Sequence, residues 1–236
     1  MVPRFGDAII GDPLKRKDRL QRLFWKGGRT GGAATAALVV VAAFFQPVTA
    51  GALEDLERYY LEVETLQGRF EQFTLDERDQ LVDESSGEFV IARPDRFHWS
   101  YTAPFRQEIV ADGERLWIFD VELDQVTVHI QGGVLGSAPV QLLSGDYAGL
   151  EEAFEILPED GFIRLLPRDP DQAFDQARLG FRDGAPVALE VDDALGQTTR
   201  VEFVELQVNA PVDADRFRFE PPPGADVYSP EPGVYP

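Results

Sequence analysis

Apolar and polar residues alternate without a break from Arg96 to Ala103. Phe97, Trp99 and Tyr101 share one parity, and polar side chains fill the positions between them. A period of two is typical of a β-strand with one face in apolar surroundings. Phe89 and Ile91 precede the Arg93-Pro94 break with the same alternation, so a second strand is predicted to add to the same apolar face.

Further short apolar segments, separated by Gly, Asp and Pro, predict a β-rich chain. Asp112-Gly113 marks a hairpin turn, for which we expect positive φ at both central residues, and Asp183-Gly184 and Gly196 mark two further turns. The segment Leu116 to Phe119 is apolar at every position, which predicts a strand covered on both faces, one of them by a helix. The predicted strands are residues 69–74, 87–92, 97–101, 107–111, 116–119, 125–130, 162–167, 177–181, 187–191 and 198–208.

Helical spacing is confined to three segments. Residues 53–66 place apolar side chains three and four apart, and Gly68 is predicted to end this helix, whose early acids suit the positive end of its dipole. Shorter helices are predicted at residues 139–143, capped by Ser137, and at 147–154. The pattern therefore favours a mainly β (α+β) fold, a curved antiparallel sheet of about ten or eleven strands with a few helices.

The first fifty residues have the pattern of a secretory signal peptide. A basic lead precedes an apolar run at residues 33–45, which is shorter than the roughly 20 residues needed to span a membrane. Val48-Thr49-Ala50 fits a signal peptidase, with cleavage expected after Ala50, or alternatively after Ala52. We therefore predict a signal peptide at residues 1–50, export across the inner membrane, and a single domain at 51–236 with an extended, partly disordered Pro-rich tail from residue 221.

Charge and composition exclude several classes of protein. Beyond residue 50 the chain carries 39 acidic residues against 14 Arg and no Lys, a net charge of −25. Such a surface repels nucleic acid and anionic lipid headgroups, and it suits a salt-rich environment, where screening weakens self-repulsion. The chain contains no Cys, so disulfides and lipidation on a Cys after the signal are excluded.

No catalytic pattern emerges from the sequence. Without Lys a phosphate-binding loop is impossible beyond residue 50, and no Gly-x-Ser-x-Gly turn occurs. His98 and His129 lack metal-ligand spacing and are predicted to face solvent. The many acid pairs are expected on a solvated face. We therefore predict no enzyme activity, no metal site and no cofactor.

The order Arg-Pro-x-x-Phe-x-Trp-x-Tyr, followed by Val-x-Asp-Gly-x-x-Leu-Trp, resembles the periplasmic outer-membrane lipoprotein carrier proteins of the LolA family. Residues 212–227 resemble that family's closing strand and Pro-Pro-Gly turn. The resemblance implies a half-open barrel with a lid of short α-helices. It further implies a carrier that takes acylated lipoproteins from the inner-membrane lipoprotein-releasing ABC transporter to an outer-membrane receptor. We expect a monomer.

The resemblance also assigns roles to residues. The acyl-chain cavity would be lined by Phe89, Ile91, Phe97, Trp99, Tyr101, Leu116 and Ile118. Arg93 would be the latch that holds the lid shut through lid backbone carbonyls. From the residues alone, the aromatic face could equally fill a packed core, and Arg93 could make an ordinary salt bridge.

Other functions stay open at this point. The outer-membrane receptor shares the fold, but it needs an acylated Cys that this chain lacks. A related periplasmic protein could bind another amphiphile, as a glycolipid carrier or a lipoprotein sensor. A lipid hydrolase is the remaining alternative.

Overall fold

A computed structural model describes residues 49–131, 140–159, 161–170, 172 and 174–230. The basic lead and apolar run of the predicted signal peptide lie outside these residues, as do Ser137 and Pro139 of the predicted helix start. The first described element, helix α1, spans Thr49–Glu62. Both predicted cleavage positions therefore fall within its first turn.

Within the described residues, twelve strands form one sheet around α1 and two short helices. The helices α2 and α3 span Gln141–Ser144 and Tyr147–Ala153, and a 3₁₀ turn spans Ala214–Phe217. The strands are β1 (Thr65–Leu75), β2 (Leu81–Ala92), β3 (Arg96–Ala103), β4 (Gln107–Asp112), β5 (Arg115–Asp120), β6 (Gln125–Ile130), β7 (Phe154–Glu159), β8 (Phe162–Pro167), β9 (Phe174–Arg182), β10 (Ala185–Asp193), β11 (Thr198–Val208) and β12 (Asp226–Tyr228).

The sheet runs in the order β12-β6-β5-β4-β3-β2-β1-β11-β10-β9-β8-β7. All neighbours are antiparallel except β12 and β6, which pair in parallel. The long strand β1 pairs with β2 on one side and β11 on the other, so it joins the two halves of the sheet. Strands β12 and β7 lie at the two ends, which leaves the sheet open.

Two strands were missing from the sequence prediction. Of residues 154–159, only Phe154 was assigned, to the end of a predicted helix, and the segment contains Pro158. The structure places this segment at the end of the sheet, where a strand tolerates a residue that donates no ladder hydrogen bond. Strand β12 lies in the tail that was predicted to be extended and partly disordered, and it is paired with residues 125–127.

Helix α1 starts and ends four residues earlier than predicted, so the acids from Glu54 onwards lie beyond its first turn. Gly68 is not its terminator and lies within β1. The end is set by Asn209, whose side-chain Nδ2 donates to the Glu62 carbonyl at 2.9 Å and whose Oδ1 accepts from the Glu64 N–H at 2.8 Å. A residue 145 positions away along the chain thus completes the helix terminus, which no local pattern reveals.

One large apolar cluster fills the inner face of the sheet. It contains residues from both halves of the sheet together with α1, α2 and α3. Strands that are far apart in the sheet can share a cluster with the same helices only if the sheet curves around them. The predicted fold class, a mainly β curved sheet with a cover of short helices, is confirmed. None of the described helices is long and apolar enough to cross a membrane.

The outer face carries two smaller apolar clusters beneath the C-terminal segment. Trp117 packs against Phe219, and Val126 and Val128 are buried in the same cluster. Phe217 of the 3₁₀ turn packs with residues of β2. The prediction that a helix covers the second face of β5 is therefore wrong: the C-terminal segment covers it.

Candidate functional site

The residues predicted to line a cavity meet on the inner face of the sheet. Phe89, Ile91, Phe97, Trp99 and Leu116 are buried in the main cluster. Tyr101 and Ile118 are half-buried and pack against it. The alternation in β2 and β3 predicted this shared face. Their role as an acyl-chain wall stays a prediction.

The aromatic rings of this face pack against one another. Trp99 stacks on Phe70 with ring centroids 3.9 Å apart, and it lies 5.4 Å from the ring of Phe89. The stack depends on Gly87, which pairs with Phe70 across β1 and β2. A Cβ at Gly87 would lie 2.8 Å from the Phe70 ring and 1.9 Å from the Ser100 carbonyl oxygen, so only glycine fits there. The described form is therefore a closed one.

Arg93 joins the ends of two lid helices. Its Nη1 donates to the carbonyls of Tyr59 at 2.8 Å and Val63 at 3.3 Å, at the C-terminus of α1. Its Nε donates to the Gly145 carbonyl at 3.1 Å, just after α2. Helix C-termini leave carbonyls unpaired and carry partial negative charge, so a guanidinium suits both. The geometry fits the predicted latch, whose role in transport stays a prediction.

Two adjacent tyrosines of α1 add to this junction. Tyr59 donates from its hydroxyl to the Leu143 carbonyl at 2.8 Å, and Tyr60 donates to the Leu142 carbonyl. The Arg93 guanidinium lies 4.4 Å from the centroid of the Tyr60 ring and 5.2 Å from that of Tyr59. Burial raises the pKa of both phenols far above the ordinary value, so both remain neutral donors.

A cavity of about 320 Å³ lies beside this junction, between the lid helices and the β2–β3 turn. Its lining includes Tyr60, Leu150 and Phe154 together with the carboxylates of Asp95 and Asp146. Burial raises the pKa of Asp95, and the charge of Asp146 raises it further against the opposing effect of Arg93. None of the seven predicted wall residues lines this cavity, so it is a feature of the lid rather than the predicted acyl-chain space.

The two histidines lie on opposite faces of the sheet: His129 pairs with Leu116 of the inner face, whereas His98 lies on the outer face. His98 was predicted to face solvent, but it is half-buried on the outer face, where its Nε2 donates to Glu108. Ser100 donates to the other oxygen of the same carboxylate at 2.9 Å. Burial by itself would raise the pKa of Glu108, but the hydrogen bonds from His98 and Ser100 outweigh it and lower the pKa. Among the described residues no group of three His, Asp or Glu is placed to hold a metal ion.

Sequence reasoning missed part of the inner face. Val201 and Phe203 are two residues apart in β11 with Glu202 between them, so the period-two signal was present. Phe70 and Phe73 are three residues apart, so they have opposite parity in a strand and the alternation did not show which of them faces inward. In the structure only Phe70 joins the main cluster. The tyrosine hydroxyls gave no usable signal, because their carbonyl partners lie more than eighty residues away in the chain.

Comparisons with known proteins identify one family. The family model described as outer membrane lipoprotein carrier protein LolA matches residues 61–220. An outer-membrane lipoprotein carrier protein from Halorhodospira halophila is 64% identical over 200 residues, which are 84% of this chain and 96% of that protein. The chain belongs to the LolA family. The resemblance inferred from the Arg-Pro-x-x-Phe-x-Trp motif is therefore confirmed.

Another LolA-family relative is more distant. The outer-membrane lipoprotein carrier protein of Alkalilimnicola ehrlichii is 51% identical over 174 residues, covering 73% of this chain and 81% of that protein. The crystal structure of a LolA superfamily protein from Nitrosomonas europaea aligns with a TM-score of 0.45 at 12% identity, covering 72% of this chain and 97% of that one. The LolA assignment rests on the family model and the sequence relatives.

Proposed function

We propose that this chain is a periplasmic lipoprotein carrier. It takes acylated lipoproteins from the inner-membrane lipoprotein-releasing ABC transporter, shields their acyl chains inside the curved sheet and passes them to an outer-membrane receptor. The observation that carries the proposal is the placement of Arg93. Its bonds to three lid carbonyls close two helices over a wide apolar face. The relatives named as outer-membrane lipoprotein carrier proteins support the same function.

The magnitude of the hydrophobic effect explains the need for such a protein. Transfer of an acyl chain from a membrane to water costs about 0.8 kcal/mol per CH₂, or roughly 13 kcal/mol for about 16 carbons. An apolar face of Phe, Trp and Ile offsets most of this cost. It does so without directional bonds, so many cargoes can use one site.

Loading requires the closed form to open. In the described form the rings of Phe70, Phe89 and Trp99 contact one another, so acyl chains need the lid to move away before they reach the inner face. Arg93 makes its three carbonyl bonds in this closed form. These bonds favour closure after release, and the binding of acyl chains favours the open form.

The decisive experiment is mass spectrometry of ligands that co-purify with the protein from its periplasm, combined with a transfer assay. We expect triacylated lipoproteins, and passage of that cargo to a purified outer-membrane receptor. Free glycolipid instead of lipoprotein would identify a carrier of another amphiphile. Hydrolysed acyl product would identify an enzyme, and an absence of any acyl ligand would refute carriage.

A further inference from the structure

Large apolar side chains are exposed at one end of the sheet. Five such residues have exposed fractions between 54% and 81%. Each lies in or next to a hairpin turn. They are Leu81, Val82, Phe105, Leu123 and Leu195.

The strand pairing brings these turns to the same end. Leu75 at the end of β1 pairs with Leu81 at the start of β2 and with Thr198 at the start of β11. The turns β1–β2 and β10–β11 are therefore neighbours. The β3–β4 and β5–β6 turns follow at the same end of the next strands, and the Arg93 turn lies at the opposite end of β2 and β3. We call residues 76–83, 104–106, 120–124 and 192–196 the tip surface.

The two tips that carry Phe105 and Leu123 are held together by hydrogen bonds to the backbone of Arg106. The Glu122 carboxylate accepts from the Arg106 N–H at 3.0 and 3.2 Å, and the Val121 N–H donates to the Arg106 carbonyl at 3.2 Å. Phe105 and Leu123 thus project from a preorganised base. A preorganised surface loses little conformational entropy when it binds.

The charges around these side chains limit what can bind them. Arg78 and Arg106 are the only basic residues in the tip surface, and each pairs with an adjacent or opposing Glu. Acidic residues dominate, including Asp76, Glu77 and Asp79. This surface repels an anionic membrane and a second copy of itself. It matches a protein face with an apolar recess surrounded by Arg or Lys.

We propose that the tip surface docks the carrier onto a basic, apolar face of the inner-membrane protein complex that loads it. The proposal rests on the proposed carrier function. A loading complex meets the empty carrier, and the tip surface is formed in the closed form described above. Because the tips lie at the opposite end of β2 and β3 from Arg93, docking there leaves the lid free to open.

The test measures binding of the mature protein to the purified lipoprotein-releasing ABC transporter in detergent. We expect the double variant F105S/L123S to bind at least tenfold more weakly, while uptake of a fluorescent fatty acid stays unchanged. The matched control is I130S/V208S, which removes two exposed apolar side chains from the opposite end of their strands and should bind normally. The variant E77Q/D83N should associate more slowly and lose part of the salt dependence.

Several results would overturn this docking surface. One is normal binding of F105S/L123S; another is no binding of the wild-type protein to the transporter. A third is binding of the wild-type protein to protein-free vesicles of phosphatidylethanolamine and phosphatidylglycerol that requires Phe105 and Leu123, because it would identify a membrane contact. Failure of the wild-type protein to take up the fatty acid would instead count against the carrier function.

Discussion

At the scale of the residue, Arg93 has the most specific geometry in the structure. One guanidinium reaches three main-chain carbonyls on two helices and lies over two tyrosine rings. Lysine could not reproduce this arrangement, because its donors come from a single point. The Arg-Pro motif located this residue in the sequence, but the identity of its partners required the fold.

The variant Arg93→Leu should fold and still accept a lipoprotein, but it should hand the cargo on poorly. Hydrogen bonds to a charged group each contribute about 1.5–3 kcal/mol, and these three stabilise only the closed form. Their loss favours the loaded form and should slow transfer by roughly tenfold or more. A transfer assay to the receptor measures this, with Arg115→Leu as the control. Transfer at the wild-type rate would refute the latch.

The variant Phe97→Glu should abolish acyl uptake. Phe97 is fully buried in the main cluster, and an unpaired carboxylate there costs several kcal/mol, which the binding of a chain cannot recover. Titration with a fluorescent fatty acid is the measurement. Phe97→Ala, which keeps the position apolar, is the matched variant. Thermal melts of both variants show whether they fold. Unchanged uptake by a folded Phe97→Glu variant would place Phe97 outside the acyl-chain site.

Glu108 predicts an acid-dependent loss of stability. Its pKa in the folded protein is lowered from the usual 4.5. Its contribution to the free energy of unfolding is therefore present above about pH 4.5 and is lost as the pH falls through the lowered pKa. In Glu108→Gln this part of the pH dependence should disappear. Melting temperatures between pH 7 and 3 measure it against Glu114→Gln, an exposed control. Identical pH profiles for the wild-type protein and Glu108→Gln would contradict it.

At the scale of the element, the contact between α1 and α2 determines how the lid closes. Helix α2 has only four residues, far too few to be stable alone. Its position depends on bonds from the Tyr59 and Tyr60 hydroxyls to its carbonyls. Short helices held in this way are expected to detach before the sheet unfolds.

The variants Tyr59→Phe and Tyr60→Phe should therefore loosen α2 without unfolding the sheet. Each leaves a buried carbonyl without its partner, which costs about 1–3 kcal/mol. Amide hydrogen exchange at Gln141–Ser144 should become roughly tenfold faster, while exchange in β1 and β2 stays the same. Tyr228→Phe, which alters an exposed tyrosine, is the matched control. Equal exchange rates in α2 would mean that other contacts hold the helix.

At the scale of the whole molecule, charge is the dominant feature. A net charge of −25 beyond residue 50 gives strong self-repulsion in the folded chain. Salt at molar concentration reduces the Debye length to about 3 Å and screens this repulsion. The acidic surface therefore suits a salt-rich environment.

Thermal melts from low to molar NaCl should show a rising melting temperature. The matched comparison uses a variant in which two exposed acids, Glu54 and Glu62, are changed to Gln. The melting temperature of this variant should rise less with salt than that of the wild-type protein. Unfolding of the wild-type protein as salt increases would refute adaptation to salt.

The sequence by itself determined the strand faces and the family. The alternation in 96–103 was enough to place Phe97, Trp99 and Tyr101 on one side, because strand parity is a local property. The Arg-Pro-x-x-Phe-x-Trp motif identified the family for the same reason: all its residues lie in one short segment, the β2–β3 turn and β3.

Only the tertiary structure decided how the chain covers its sheet. The end of α1 depends on Asn209, and the outer cover of β5 is the C-terminal segment rather than a helix. Strand β7 was missed because a place at the end of the sheet cannot be read from a single segment. These features depend on contacts between residues far apart in sequence, where local periodicity carries no information.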